Sequence, residues 1–366
     1  MPNKICLVYN YAHHYRTSIF CLIDKEIGCD FVFGDKYLDV KKMDYTLLHH
    51  NVQEVHNKKI GPFFYQSSVL SLLWKGYDKF IMLGEPMNIS TWGVLVLSRI
   101  FHKKVYLWSH GWYGREGLGK KYIKKVFFNL ATGVLLYGNY ARNLMIENGF
   151  NPNRLFVVHN SLDYDKQIAI RNQLKKDRIY QEHFGNKYPV LLFVGRLTGV
   201  KRLDMLVEVI HMSVNRNQPL NLIFIGKGEE QEKLQKMVDN LNIESYVWFY
   251  GASYDEKELS NLIYNADICV APGNVGLTAI HSLVYGCPVI THDNFKEQMP
   301  EFEAIQKNVT GDFFKQGDVN SLYNVVHSWI KNHTNREDIR KMAYREIDLN
   351  WNPYVQLQVI NEMLKM

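Results

Sequence analysis

Long apolar runs are missing from this sequence. The longest, such as residues 190–194 and 94–97, fall far below the roughly 18 residues that span a bilayer, so no transmembrane helix is expected. Cysteine is scarce as well: Cys6, Cys21, Cys29, Cys269 and Cys287 are odd in number and show no Cys-x-x-Cys spacing. That excludes a disulfide-stapled scaffold, and their mostly apolar settings predict reduced, mostly buried thiols. The first ten residues carry too short an apolar stretch for a secretory signal, and a cytoplasmic protein is expected. A Gly-x-Ser-x-Gly elbow, a phosphate loop and an early Gly-x-Gly-x-x-Gly are all absent, which disfavours hydrolase, P-loop NTPase and dinucleotide oxidoreductase readings. The pairs His13-His14 and His49-His50 lack HExxH spacing or cysteine partners and are poor metal sites.

What is present is ordinary globular material. The 366 residues, 46% hydrophobic and 22% charged, suffice for about two domains with separate cores. The net charge of +6 is unevenly placed, with 20 Lys and Arg against 11 Asp and Glu in residues 1–160. There, residues 119–131 interleave Lys120, Lys121, Lys124 and Lys125 with Tyr122, Ile123, Val126, Phe127, Phe128 and Leu130, the pattern of a basic amphipathic helix. Such a helix fits peripheral contact with an anionic membrane on the inner face of the cell, or a core-packing role with a solvated lysine face. No recognisable nucleic-acid module accompanies the charge, so no nucleic-acid partner is expected.

In the second half, apolar runs at 190–194, 222–225, 247–250, 268–271 and 289–291 predict strands. Between them, Leu203, Leu206, Val207 and Ile210 fall at i, i+3, i+4 and i+7 and predict a helix, as do Leu234, Met237, Val238 and Leu241, and again Leu259, Leu262, Ile263 and Ala266. Ser253 with Glu256 reads as a capping box opening the third helix, and Gly286 before Pro288 stops the fourth. This alternation implies a doubly wound parallel sheet, whose ligands bind beyond the carboxyl ends of its strands. The first half repeats it less clearly, with strands predicted at 5–9, 31–33, 80–83, 105–108, 134–137 and 156–159. The expected organisation is α/β, with Rossmann-like domains at 1–165 and 166–340 and a helical tail at 341–366 that packs back on the first.

The segment from Phe193 to Leu203 puts Arg196 and Lys201 in the turn leaving a predicted strand and entering a helix, where backbone amides already favour phosphate. A diphosphate fits there, and two cations would stabilise the charge that develops as it departs. Other strand ends carry Gly226 and Gly228, Gly251, and the run from Ala271 to Leu283. In order and spacing, Gly195-Arg196-Leu197 with Lys201, the strand and turn 222–228, Asn265 to Pro272, Gly286-Cys287-Pro288-Val289-Ile290, Thr310-Gly311 and Asn160-Ser161-Leu162-Asp163 together resemble the retaining glycosyltransferases of family 4, of the two-domain GT-B type. The resemblance covers most of the chain and is best from about 155 to 317.

That resemblance implies a GT-B fold, two Rossmann-like domains facing a cleft, the first taking an acceptor and the second a nucleotide-diphosphate sugar as donor. It implies transfer of a hexose-type sugar with retention, without a cofactor or catalytic metal, onto a glycan or lipid-linked oligosaccharide. Arg196 and Lys201 match the family's diphosphate-binding pair, with Gly195, Gly226, Gly228 and Gly251 at the neighbouring turns. His110, in His110-Gly111 after a strand, is similar to the family's histidine near the transferred sugar. The family's two glutamates, eight residues apart, are replaced by Gly273 and His281; a neutral imidazole at His281 could still bond a ribose hydroxyl, and the backbone of Asn274, Val275, Gly276, Leu277 and Thr278 could contact phosphate or sugar oxygens. His13, His14 and Arg16 occupy the place of the family's glycine-rich acceptor-side loop, and Glu85 and Arg115 are further acceptor-side candidates. Asp163-Tyr164-Asp165 matches an Asp-x-Asp metal motif only superficially, since the family match already accounts for Asp163. Two alternatives stand beside the transferase: a nucleotide-sugar epimerase of similar fold, and a degenerate glycan-binding subunit without catalysis.

Overall fold

The computed structural model describes residues 4–36 and 40–366, and divides them into one unit formed by residues up to 163 with 352–366, and a second formed by 164–351. The division falls two residues before the expected boundary at 165. The expected tail at 341–366 is itself divided, because one helix runs through 350 and belongs to the second unit.

The first unit is built on β1 (Ile5–Tyr9), β2 (Cys29–Gly34), β3 (Val52–Val55), the hairpin β4 (Asn57–Ile60) and β5 (Phe63–Gln66), β6 (Lys79–Leu83), β7 (Lys104–Ser109), β8 (Gly133–Leu136) and β9 (Leu155–Val157). Seven strands form one parallel sheet in the order β3-β2-β1-β6-β7-β8-β9, so the winding reverses between β1 and β6. The helices are α1 (Thr17–Ile27), α2 (Ile89–Ile100), α3 (Leu118–Leu130) and α4 (Asn139–Glu147). Alternate residues of β1 enter opposite cores: Cys6 and Val8 join Phe127 and Phe128 of α3, while Leu7 and Tyr9 join Ile19, Phe20 and Ile23 of α1. A sheet covered on both faces needs apolar residues at every position, which is why its inner strands read as continuous apolar runs. Among the helix-supporting contacts, Asp24 is fully buried and accepts from the backbone N–H of His49 and His50 at 2.8 and 3.0 Å and from both rings at 2.9 Å. Burial opposes its charge, but these four bonds outweigh it and hold the carboxyl at about 2. The second histidine pair therefore serves a buried carboxylate.

The second unit has helices α5 (Tyr164–Arg171), α6 (Ile179–Phe184), α7 (Asp204–Asn215), α8 (Gln231–Asn240), α9 (Glu256–Asn265), α10 (Thr278–Val284), α11 (Val319–Asn332) and α12 (Arg336–Asn350) around β10 (Val190–Val194), β11 (Asn221–Ile225), β12 (Val247–Gly251), β13 (Ile268–Ala271), β14 (Val289–His292) and β15 (Gly311–Phe314). The parallel order is β12-β11-β10-β13-β14-β15, with its reversal between β10 and β13. One detail differs from the capping box read in the sequence: Asp255 caps α9, accepting from Lys257 N–H at 2.9 Å, while the Ser253 hydroxyl donates to Glu258. Asn352 caps the last helix, α13 (Pro353–Leu364), whose Ile360, Met363 and Leu364 complete the core beside α1. All five cysteines are free, and all but Cys21 are buried. Among the described residues, no helix is long and apolar enough to cross a membrane.

Candidate functional site

Both sheets reverse their winding where an open α/β sheet leaves a crevice at its carboxyl edge. In the second unit, the loop after β10 carries Gly195, Arg196 and Lys201, and the loop after β13 carries 273–278. Lys201 ties the two together: its Nζ donates to the carbonyl oxygen of Asn274 at 2.6 Å and to Asn274 Oδ1 at 2.7 Å. An ammonium has three donors, so one is left. Burial presses the Lys201 ammonium down to about 8, with the field of the buried Glu301 carboxylate opposing that effect and Arg196 adding to it. Arg196 is exposed, and its side chain makes no hydrogen bond or ion pair with the described residues.

Glycine lets these loops close on one another. A Cβ on Gly226 would sit 1.8 Å from Gly195 O, so only glycine permits the turn after β11 to lie against that after β10. Gly228 follows in the same turn, and Lys227 O accepts from Leu197 N–H at 3.0 Å. Gly251 ends β12 and accepts from Gly226 N–H at 2.8 Å. Gly273 has a different character from a position that merely lost a carboxylate. Its N–H donates to Lys201 O at 2.9 Å, and a Cβ there would meet Val200 O at 2.0 Å and Lys201 Cα at 2.7 Å. The backbone that seats Lys201 occupies the space a side chain would need.

His281, on α10, is held by a carboxylate from another helix. Glu256 Oε1 lies 3.0 Å from His281 Nε2 and accepts from Tyr285 Oη at 2.6 Å and Gln167 Nε2 at 3.0 Å. Burial raises the Glu256 carboxyl, but hydrogen bonding from His281, Tyr285 and Gln167 prevails and holds it at about 2. Sequence reasoning missed Glu256 because its partners lie 25, 29 and 89 residues away. Of the remaining backbone candidates, Val275 is buried and its N–H is taken by Gln298 Oε1 at 2.9 Å; the Thr278 hydroxyl donates to Val194 O at 2.9 Å. Asn274, Gly276 and Leu277 complete that loop, Gly276 with a left-handed φ of 55°.

In the first unit, a cavity of about 490 Å³ opens at the carboxyl ends of β1, β6, β7 and β8, lined by His13, Arg16, Glu85 and His110 among others. Four of the acceptor-side and sugar-side candidates thus meet, drawn from segments up to 97 residues apart. Ser109 seats His110, donating to Gly84 O at 2.7 Å and accepting from Gly111 N–H at 3.1 Å. Burial, helped by Arg16 and Lys124, pushes His110 down to about 4; burial and Arg16 do the same for His13. Both imidazoles are neutral at pH 7. His14 and Arg115 lie outside this lining: His14 is exposed with Nδ1 3.2 Å from Lys41 O, and Arg115 is exposed with its guanidinium 4.9 Å from the Tyr113 ring centre. Lys124 departs from the solvated lysine face expected of its helix. Its Nζ donates to Gly111 O at 3.0 Å and Glu116 Oε1 at 2.8 Å, and it lines the cavity. Among the described residues, no three His, Cys, Asp or Glu side chains gather as a metal site would require.

Residues 175–346 match the family described as glycosyl transferases group 1. An uncharacterized 41.2 kDa protein in the cps region of Klebsiella pneumoniae is 24% identical over 251 residues, 64% of this chain and 63% of its own length. The poly(ribitol-phosphate) alpha-N-acetylglucosaminyltransferase of Staphylococcus aureus is 23% identical over 205 residues, 56% of this chain and 38% of its own length. The chain therefore spans less than two thirds of these relatives. The crystal structure of Anabaena Alr3699/HepE in complex with UDP superimposes with a TM-score of 0.73 at 17% identity, covering 99% of both chains, and so shares the fold. These matches do not favour the epimerase or the non-catalytic reading.

Proposed function

We propose that the protein, whose residues 175–346 match the glycosyl transferases group 1 family and whose fold is of the GT-B type, is a retaining, metal-independent hexosyltransferase of glycan biosynthesis. Its second unit takes a nucleotide-diphosphate sugar and its first unit a hydroxyl-bearing glycan, lipid-linked in the growing chain. The observation that carries this reading is the pairing of exposed Arg196 with half-buried Lys201 where the sheet reverses, Lys201 held by Asn274 across the two loops. The relative solved with UDP supports a uridine nucleotide as the first to try.

The chemistry follows from the charges. The acceptor hydroxyl attacks the anomeric carbon on the face the diphosphate is leaving; the new C–O bond forms as the old one breaks, and the hydroxyl proton passes to the departing phosphate oxygen. Arg196 and Lys201 meet the charge that grows on that phosphate, a form of stabilisation that is often the largest single contribution. Neutral His110 orients a sugar hydroxyl. No enzyme nucleophile takes part. Arg196→Ala and Lys201→Ala should each lower transfer at least a hundredfold, and Arg196→Ala, which removes an exposed side chain, should do so with an unchanged melting temperature. Wild-type turnover in both variants would refute the assignment.

Membrane contact is the second part of the proposal, carried by the surface of α2 and α3. Phe127 and Phe128 are buried, yet Leu118 is 88% exposed and Tyr122, Ile123 and Val126 also face outward beside Lys120 and Lys125. Ile100 of α2 and Trp74 are 65% and 64% exposed, and the Trp74 ring lies 5.3 Å from Phe101. Apolar side chains rimmed by lysine suit the headgroup boundary of an anionic inner-face membrane, where a lipid-linked acceptor resides.

A further inference from the structure

Arg16 stands out among the charged groups of the first unit. It is only 6% exposed, and its guanidinium lies 5.0 Å from the Tyr9 ring centre, 5.1 Å from that of Trp108 and 5.4 Å from that of Tyr137. One nitrogen, Nη2, donates to the Tyr137 hydroxyl, which in turn lies 2.9 Å from the Tyr9 hydroxyl. The other, Nη1, is buried in the cavity wall and has no hydrogen-bond partner among the described residues. An aromatic cage stabilises a cation, but a buried guanidinium ordinarily has a carboxylate or phosphate to complete its fork.

Among the described residues, no carboxylate of the lining pairs with Arg16. Glu85 is the lining's single carboxylate among the described residues; it forms no ion pair with Arg16 and accepts instead from Met87 N–H at 3.3 Å. The other cation, Lys124, already has Glu116 at 2.8 Å. Asn10 Oδ1 and His110 Nδ1, also buried on the wall, lack hydrogen-bond partners among the described residues. An acceptor oxygen, a ring nitrogen and a guanidinium N–H thus converge on 490 Å³, the set needed to hold a hydroxyl-rich group bearing one negative charge.

We propose that this cavity is an oxyanion site, in which Arg16 takes a phosphate or carboxylate carried by the acceptor, so that the enzyme extends an acidic glycan. The inference rests on the transferase reading, because it assigns the first unit's cavity to the acceptor. The shared chemistry is an oxyanion, and its other possible source is the donor diphosphate; the experiment separates the two.

The test follows the histidine Cε1–H resonances of the full chain by NMR during titration with glycerol 1-phosphate, glucuronate, neutral methyl glucoside and UDP. The acidic probes should bind at least tenfold more tightly than methyl glucoside. Arg16→Gln should erase that preference while moving UDP affinity less than twofold, and Arg16→Lys should keep part of it. Lys201→Ala should do the reverse, losing UDP and keeping the acidic preference, so failure of the nucleotide assignment is visible separately. The proposal is overturned if no acidic probe binds, if acidic and neutral probes bind alike, if Arg16→Gln retains the preference, or if Arg16→Gln weakens UDP tenfold, which would give Arg16 to the donor. Should Arg16→Gln fail to fold, the wild type decides alone: bound glycerol 1-phosphate, facing His13, Arg16, Glu85, His110 and Lys124, should raise the His110 titration by at least one pH unit, and an unmoved midpoint overturns the proposal.

Discussion

The half-buried ammonium of Lys201 makes nucleotide affinity depend on pH in a calculable way. In the free protein it titrates near 8, pressed down from 10.5 chiefly by burial. A diphosphate placed beside it reverses that pressure, so the bound form holds its proton through the whole alkaline range. The sign follows: below pH 8 the protein is already charged and affinity is flat, whereas above pH 8 it must take up a proton in order to bind. With the bound titration restored to at least its ordinary value, Kd for UDP should rise about tenfold from pH 7 to pH 9, or about 1.4 kcal/mol, and continue at nearly a decade per pH unit. The second ionisation of a phosphate monoester, near 6, lies below this window and leaves the slope unaltered. Calorimetry at pH 7.0, 8.0 and 9.0 in buffers of different ionisation enthalpy reads both quantities, and about half a proton should be taken up per UDP at pH 8. Lys201→Met should bind some hundredfold more weakly, the loss of charged hydrogen bonds being worth about 1.5–3 kcal/mol, and should show no slope above pH 7. A wild-type Kd that stays level between pH 7 and 9 would refute the reasoning.

Other consequences are separable. Gly273→Glu should not restore a nucleotide-binding carboxylate: a Cβ 2.0 Å from Val200 O displaces the loop that seats Lys201, so melting temperature should drop by the equivalent of about 1–3 kcal/mol and UDP affinity with it; a variant as stable as wild type would contradict this. Glu256, held near 2 against an ordinary value of 4.5, contributes stability that is complete above about pH 5 and lost as pH falls toward 2. Its advantage over Glu256→Gln in urea unfolding should be about 3 kcal/mol at pH 7 and less than half of that at pH 3; an equal gap at both pH values would argue against it. Asp24→Ala, which takes the shared acceptor from two part-buried backbone N–H groups and two solvent-exposed imidazoles, should cost roughly 2 kcal/mol in the same assay. Replacing Lys120, Lys121 and Lys125 by Gln should weaken sedimentation with anionic vesicles by about a hundredfold, at about 1 kcal/mol per lysine, and equal sedimentation would remove the membrane contact.

Legibility in the sequence followed burial. Strands covered on both faces, such as Ile5–Tyr9, Val190–Val194 and Ile268–Ala271, appear as uninterrupted apolar runs and are found with their bounds intact. Val52–Val55 at the sheet edge and the hairpin strands Asn57–Ile60 and Phe63–Gln66 are mostly half-exposed or exposed, carry glutamine, lysine or glutamate, and give no such run. Gly311–Phe314, short and at the opposite edge of its own sheet, escaped for the same reason. The candidate pair Arg196 and Lys201 is legible because both lie in one loop. The rest of the site is assembled from a distance. Nothing local links Glu256 to His281 and Gln167, or Arg16 to Trp108 and Tyr137, and no spacing shows that backbone fills the position beside Gly273. Lys124 looked like its neighbours in a lysine-rich helix, and only the fold turns it inward to Glu116.

The central claim is that a nucleotide diphosphate lies at the carboxyl ends of β10 and β13 against Arg196 and Lys201. A crystal structure of the chain soaked with UDP, and in parallel with GDP and ADP, tests it most directly. Diphosphate density is expected within hydrogen-bond distance of Lys201 Nζ and the Arg196 guanidinium; a well-ordered nucleotide bound elsewhere, with both side chains turned from it, would overturn the assignment.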